Sequence, residues 1–492
     1  MENRKLKKDA EAKGKLELIS KALYRYRSYI ILAYLILLIA FFFIQFNLLQ
    51  NWDMIVRILN ANYLFHNGFY FENQRALFES FLIGLLSYPL GDYAVYGFLA
   101  VAAILMLYSL YDFSKAFKIQ FIILMLAFFN PFTIMYIAKN GSEIFLISFL
   151  LLYLAAIKRR RYSAGLFLAL AFLSKYDALY FSPLLLFLFL NGKASNSIKK
   201  VLVSIAVFLA SLIPYFIYNF LTYGNIIYTF ALSYLYYINV GSLPRFNYTG
   251  LIELVIPLIL AAIIFSSKKN REGFSKKVKK LRFELSLLSV SFIISLYTYV
   301  AANGFFLNNL GVYRFALLPT SLLSIIVLLF SNKEDILKLF IFSAVSIILA
   351  FYLLSLSLPG YSSVSIAYEA KALFASAYNT TNCTVMSNDW VYLDYVGLPA
   401  SPVLPISEYN GTLILSLGRV NTSLPLIASK GNIYLYGYGY CREYKVQFNF
   451  FSYYNTILKS RNSTLIPDDP CSWLFSGKLK SAALITLCRY LT

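Results

Sequence analysis

Apolar and polar positions in this chain alternate on a long wavelength, with runs of fifteen to twenty-two apolar residues separated by short charged segments. A bilayer core near 30 Å takes roughly 20 helical residues, so the runs are read as membrane spans by their length. They fall at about 28–48, 94–111, 119–138, 143–157, 200–221, 250–266, 283–301, 313–331 and 336–357. A longer stretch, 162–191, is broken by "SKYD" at 174–177 and predicts a hairpin of two helices with Lys175 at its tip. The pattern predicts a polytopic α-helical membrane protein of about 11 transmembrane helices. Between the first two spans, the run 76–90 is short and follows Arg75, which predicts an interfacial or re-entrant helix. Just before it, "DMIVRILNANYLF" places Ile55, Ile58, Leu59 and Tyr63 on one helical face and predicts a second interfacial helix in the same loop, 49–93.

Charge sets the sides. The N-terminus, "DFSKAFK" (112–118), "KRRR" (158–161), "NGKASNSIKK" (191–200), "KKNREGFSKKVKKLR" (268–282) and "NKEDILK" (332–338) are basic and fall on one side if the spans alternate. Basic loops stay cytoplasmic, so the N-terminus is expected inside and the C-terminus outside. Residues 1–27 hold nine Lys/Arg and four acids ahead of a full-length apolar run without a small-residue cleavage site, so that run is expected to remain as an anchor. Seven Asn-X-Ser/Thr sequons, at Asn140, Asn247, Asn379, Asn382, Asn410, Asn421 and Asn462, all fall on the outer side of this topology. The four cysteines, Cys383, Cys441, Cys471 and Cys488, fall there too, which suggests an oxidising compartment and up to two disulfides in one of three connectivities, or else buried thiols.

Beyond residue 357 the long wavelength ends. Residues 366–379 read as an amphipathic helix, and 383–388, 411–417 and 432–439 read as strands separated by turn residues. The chain therefore divides into a transmembrane domain, 1–357, and a C-terminal α/β outer domain, 358–492, long enough to bury its own core.

Composition agrees: 59% hydrophobic and 14% charged residues leave too little polar surface for a soluble globule of 492 residues. The formal charge of +21 would suit nucleic acid, yet the basic residues sit between spans, where they serve orientation and anionic lipid instead. There is no P-loop, no dinucleotide fingerprint and no nucleophile elbow, and His66 is the only histidine, which excludes multi-histidine metal sites and a Ser-His triad. His66 itself reads as a packing or surface residue. What remains is a set of ionisable groups expected at the outer surface: Asp53, Arg57, His66, Glu72, Arg75, Glu79, Glu143, Lys175, Asp177, Arg245 and Arg314. Singly, each has an ordinary structural role: Asp53 as a helix N-cap, Lys175 snorkelling to water, Arg314 as an interfacial anchor, and Glu143 favouring a helix dipole.

The order of features resembles a GT-C glycosyltransferase, in particular the protein-mannosyltransferase-like and aminoarabinose transferase-like branch that takes sugars from polyprenyl phosphates. The carrying features are "NWDMI" after the first span, "RALFESFLIGLLSYPLGD", "GLFLALAFLSKYDALYFSPLLL", "IPYFIYNFLTYGN", and "YRFALLP" ahead of a soluble tail. The resemblance implies sugar transfer from a polyprenyl (dolichyl) phosphate to an acceptor hydroxyl of a glycan or glycoprotein on the outer face. It makes Asp53 the general base, Glu143 a second acid that orients the acceptor or holds a metal, and Arg75 and Lys175 contacts to the carrier phosphate, with Arg314 a third. Many members carry adjacent acids after the first helix, whereas Trp52 and Met54 flank Asp53 here, which leaves a divalent metal open. The Ile/Leu/Tyr/Lys-rich composition with outer sequons suits an archaeal surface-glycosylation enzyme in a plasma membrane. Two readings compete with the transferase: a secondary transporter or lipid-linked-sugar flippase, which would place its ionisable groups near the midplane, and a non-catalytic scaffold or carbohydrate-binding subunit on the same fold.

Overall fold

The structure is a computed structural model that describes residues 22, 25–49, 51–68, 71–140, 142–190, 194–233, 252–305, 309–357, 363–378, 385–387, 389–402 and 413–438. It is mostly helical with one small sheet, and it falls into two compact units. The first comprises residues 1–44, 99–218 and 236–356; the second comprises 45–98, 219–235 and 357–492.

At the centre of the first unit is the helix Ser142–Lys158, whose residues 142–157 are all buried. A helix apolar on every side has no face to offer water and is stable only when surrounded. Helix Ser163–Ser174 packs along it, and a 3₁₀ helix, Tyr176–Leu188, follows. The break between these two falls at Lys175, whose backbone is extended (φ −159°, ψ 122°). The Tyr153 hydroxyl donates to the Phe181 carbonyl at 3.0 Å and ties the 3₁₀ arm to the central helix. Helix Ser163–Ser174 also approaches helix Ala194–Ser211 to backbone contact at Gly165, where a Cβ would lie 1.9 Å from the Ser204 carbonyl oxygen.

Three helical segments of the described residues are long and apolar enough to cross a membrane: Ser28–Asn47, Phe78–Phe117 and Lys333–Ser355. Two bent pairs raise this to five if each is one span, namely Ser197–Ser211 with Ile213–Tyr223, bent by 41°, and Lys268–Lys280 with Arg282–Tyr299, bent by 88°. The first and last of the three lengths of helix are inside out by the standards of a soluble protein. Ser28–Asn47 exposes Tyr29, Leu32, Ile36, Leu37 and Ile44, and Lys333–Ser355 exposes Ile341, Val345, Ile348, Leu349 and Tyr352. Their inward faces carry the polar groups: the Tyr34 hydroxyl donates to Ser343 Oγ at 2.8 Å, and Ser346 is buried as well. Hydrocarbon outside and hydroxyls inside is the arrangement a lipid solvent selects.

In the second unit, helix Trp52–His66 is buried on every side over residues 54–61, Ile55, Ile58 and Leu59 among them, rather than along the one face that their spacing predicts, while Tyr63 is exposed and stacks on Phe71 at 4.6 Å. Asn51 is the N-cap of this helix, its side chain accepting from the Asp53 amide at 2.9 Å, so Asp53 is not the cap. Asn67 ends the helix in the left-handed region at φ 56°, a conformation that asparagine tolerates better than most residues. Helix Phe78–Leu90 packs against it where Gly84 admits the Phe65 ring, which an added Cβ would meet at 2.1 Å. The run 78–90 leads through a single 3₁₀ turn, Gly91–Tyr93, into helix Ala94–Phe117.

The tail contributes helices Ser363–Ala377 and Trp390–Tyr395 and five strands: β1 (Val385–Ser387), β2 (Ala400–Pro402), β3 (Ile414–Leu417), β4 (Leu426–Lys430) and β5 (Ile433–Tyr436). Each of the four segments read from the sequence contains one of these elements. The sheet order is β2-β1-β3-β5-β4, with β1 parallel to β2 and β3 and the last two pairings antiparallel. Trp52 joins the tail to the helix Trp52–His66, its ring lying edge-on at 4.8 Å from Trp390 and 5.4 Å from Tyr392. Of the sequons, Asn421 is exposed and Asn140 ends helix Pro131–Asn140. Asn247, Asn379, Asn382, Asn410 and Asn462, and all four cysteines, lie outside the described residues.

Two predictions follow from this packing. Gly165→Ala forces helices Ser163–Ser174 and Ala194–Ser211 apart, and we expect a loss of about 1–3 kcal/mol, seen as a lower melting temperature of the purified chain in detergent; an unchanged melting temperature contradicts the contact. Asp394 is buried, with Oδ1 accepting from the Ala400 amide at 2.7 Å and Oδ2 without a hydrogen bond, and burial raises its carboxyl well above the usual range against the smaller pull of that amide. Because the folded value exceeds the unfolded one, this residue's contribution is fully present below the unfolded value and is lost as pH rises through the folded value. Asp394→Asn keeps the acceptor and removes the charge, so amide protection across β1 should fall from pH 5 to pH 8 in the parent chain and stay level in the variant. Parallel loss in both contradicts it.

Candidate functional site

The acid singled out after the first span lies in the first turn of helix Trp52–His66, and the chain returns to it twenty-two residues later. The return is held by Asn60, buried on that helix, whose amide donates to the Glu72 carbonyl at 3.0 Å while its oxygen accepts from the Glu72 amide at 2.8 Å. A side-chain amide that satisfies both backbone groups of one residue works as a short piece of sheet, and it fixes the 72–75 turn on the helix. Arg75 is thereby set between two carboxylates. Its Nη1 lies 2.7 Å from Asp53 Oδ1 and its Nε 2.6 Å from Glu72 Oε2. Gln74 adds a further donor to Glu72 Oε2 at 2.9 Å, and Arg57 donates to the Asp53 carbonyl at 3.0 Å.

These side chains are mostly withdrawn from water, with 24% of Arg75, 16% of Asp53 and 6% of Glu72 accessible. Burial pulls the Arg75 guanidinium down, and the charges of Glu72 and then Asp53 outweigh it, holding Arg75 well above its ordinary value. A carboxylate at 2.7 Å from a permanent cation is stabilised as the anion by the same interaction. Nearby, His66 is exposed, hydrogen-bonds Ser87 Oγ at 2.6 Å through Nε2 and lies against Tyr88, which suits the packing or surface role read from the sequence. Glu79 is buried in the first turn of helix Phe78–Leu90.

The first unit holds a second cluster. Glu143, in the first turn of the central helix, is buried and accepts from Ser142 Oγ at 3.1 Å. Lys175, at the break after helix Ser163–Ser174, sits 3.4 Å from Glu143 Oε1 and 3.7 Å from Asp177 Oδ2. With 15% of its side chain accessible, Lys175 is not a lysine snorkelling into water. The cavity that Glu143, Lys175 and Asp177 share has a volume of about 20 Å³, room for a water molecule but not for a sugar. Arg314 lies on helix Asn309–Leu328 of this unit with its side chain outside the described residues, and Arg245 lies outside them altogether.

Among the described residues no three His, Cys, Asp or Glu side chains gather as a metal site would require, and Asp53 and Glu72 are both committed to Arg75. That donor set does not fit the divalent metal which the resemblance leaves open, and no step below is routed through one.

Sequence reading put Asp53, Glu72 and Arg75 on one side as separate groups and missed that Asn60 fixes Glu72 so as to set Arg75 against Asp53. The available signal was an asparagine amid the apolar residues of a helix, where an unpartnered amide would be costly once buried. No family model, no curated protein and no solved structure matches the chain.

Arg75→Ala leaves two part-buried carboxylates without their cation, and we expect a loss of about 1–3 kcal/mol in thermal unfolding. Asp53→Ala combined with Arg75→Ala should cost less than the two changes summed, since the pair is removed together. Additive costs contradict the coupling.

Proposed function

We propose that the chain is an integral membrane glycosyltransferase of the GT-C type that moves a sugar from a polyprenyl phosphate to an acceptor hydroxyl on the extracytoplasmic face. The observation that carries this reading is the ion pair of Asp53 with Arg75 at 2.7 Å, in the loop after the first span, where the resemblance puts the base and a phosphate contact. The eleven-helix topology, with the N-terminus inside and the tail outside, belongs to the same proposal. It is supported by contacts among segments expected to share a side. Arg159 of "KRRR" grips Asp112 of "DFSKAFK" through Nη1 at 2.6 Å, and Lys269 of the 268–282 segment meets Glu334 of 332–338 at 2.9 Å.

In the proposed reaction the acceptor oxygen attacks the anomeric carbon and its proton passes to the Asp53 carboxylate. The bond from that carbon to the carrier oxygen breaks, and the electron pair leaves on the phosphate. A carboxylate paired with arginine is a weak base, because the pair stabilises its anion. The donor phosphate resolves this, since it competes for the same guanidinium and binds it in two-pronged fashion. As Arg75 turns from Asp53 to the phosphate it stabilises the leaving group and frees the base in one motion, so the carboxylate becomes basic only when a donor is bound. Glu72, with the most buried of the three side chains, stays on Nε and keeps the arginine in the site. Taken by itself, the first unit holds Lys175, which the resemblance assigns to a phosphate contact, beside Glu143 at 3.4 Å.

The test is transfer of labelled hexose from a panel of polyprenyl-phosphate donors to endogenous acceptors in membranes. Asp53→Asn should lower transfer by about 10²- to 10⁴-fold with expression and insertion unchanged, the range a positioned base supplies. Lys175→Ala should raise the donor KM more than it lowers kcat. Parental transfer by Asp53→Asn membranes overturns the assignment.

A further inference from the structure

Within the first unit, three segments expected on the cytoplasmic side enclose a cavity of about 410 Å³. They are the turn after helix Ala94–Phe117, the start of helix Lys268–Lys280, and the turn between helices Asn309–Leu328 and Ile336–Ser357. Its charged lining is Lys118, Lys269 and Lys333 against one acid, Glu334. Lys118 stands in the left-handed region at φ 58°, exposed, and makes no ion pair among the described residues. The apolar lining is Ile119, Ile123, Leu328 and Leu329, all buried.

The wall behind the lysines is rigid. Asn270, buried, donates to Asp335 Oδ2 at 3.0 Å and to the Ile264 carbonyl at 2.8 Å, and the same Asp335 oxygen accepts from the Asn332 amide at 2.8 Å. Lys277 donates to the Phe330 carbonyl at 2.8 Å and to Asn332 Oδ1 at 3.2 Å. Two polar turns that would otherwise move are locked together through Asn270, Asp335 and Lys277, so the cavity is shaped before anything fills it, which lowers the entropy cost of binding.

We propose that this cavity is a specific site for an anionic phospholipid, its headgroup phosphate among Lys118, Lys269 and Lys333 and its acyl chains along the apolar outer faces of the flanking helices. Three ammonium groups against one carboxylate select an anion. The volume is that of a small-molecule site rather than of a single ion. A water-soluble phosphate would use the lysines alone, whereas a lipid also covers apolar side chains that the flanking helices expose, Ile104 and Tyr108 on Ala94–Phe117 and Ile341 and Val345 on Ile336–Ser357. This site is separate from the transfer chemistry above and does not rest on it.

Native mass spectrometry of the purified full chain in detergent tests it, with dioleoylphosphatidylglycerol and dioleoylphosphatidylcholine titrated as probes. One phosphatidylglycerol should be retained in preference to phosphatidylcholine, and Lys118→Gln combined with Lys333→Gln should weaken that retention by roughly ten-fold or more, both being surface lysines outside the proposed transfer machinery. Lys199→Gln with Lys200→Gln, on another basic segment, should leave it unchanged. Equal retention of the two lipids, or equal loss in the two double variants, overturns the site in favour of diffuse surface charge. Displacement of the bound lipid by inorganic phosphate at the same concentration overturns the lipid assignment in favour of a soluble phosphate.

Discussion

An arginine drawn between two carboxylates organises the polar side of the second unit. Arg75 reaches Asp53 on one helix and Glu72 on its own turn, and neither contact would form unless Asn60 clamped that turn by both backbone groups of Glu72. The cluster holds two carboxylates and two guanidiniums, Arg75 between the acids and Arg57 on the Asp53 carbonyl, with little water to dilute them. Such an arrangement is stable only while the cation stays, and it is poised to give up one carboxylate to any better anion. In the proposed reaction, the interaction that stabilises the resting structure is also the barrier that a donor phosphate has to exchange against.

The second unit supports this cluster from both ends. Asn51 caps the helix that presents Asp53, and Trp52 beside it packs on Trp390 and Tyr392 of the tail. A residue adjacent to the proposed base is therefore also the joint between the loop after the first span and the α/β tail. This gives the tail a physical role: its rings pack on Trp52 and so limit how the first turn of the helix can move. Gly84 does the same from the other flank by admitting Phe65.

Much of the architecture was legible because it is written in periodicity. The 3.6-residue spacing of Ile55, Ile58 and Leu59 marked their segment as a helix, though residues 54–61 are buried on every side of it, and three of the five tail strands were visible as short β-rich runs between turns. Strands β2 and β4 were not, since "ASP" is too short to show an alternation and "LIASK" is mostly exposed, with no buried face to alternate against. The union of residues 45–98 with the tail was also invisible, because long-range packing of Trp52 on Trp390 leaves no trace in local pattern. Charged residues were legible as a list and illegible as partners. Arg75 looked like a free cation for phosphate, and only the fold reveals that Asp53 and Glu72 already hold it. The assignment of Asp53 as a cap failed for a local reason: Asn51 is also a good cap, and it stands two positions earlier.

The central claim is that donor phosphate and Asp53 compete for Arg75. Affinity of the purified chain for a polyprenyl monophosphate, measured for the parent and for Asp53→Asn, tests it most directly. If the claim holds, the variant that has lost transfer binds the phosphate several-fold more tightly, because about 1 kcal/mol of competing ion pair is gone. Equal or weaker binding by Asp53→Asn would contradict it.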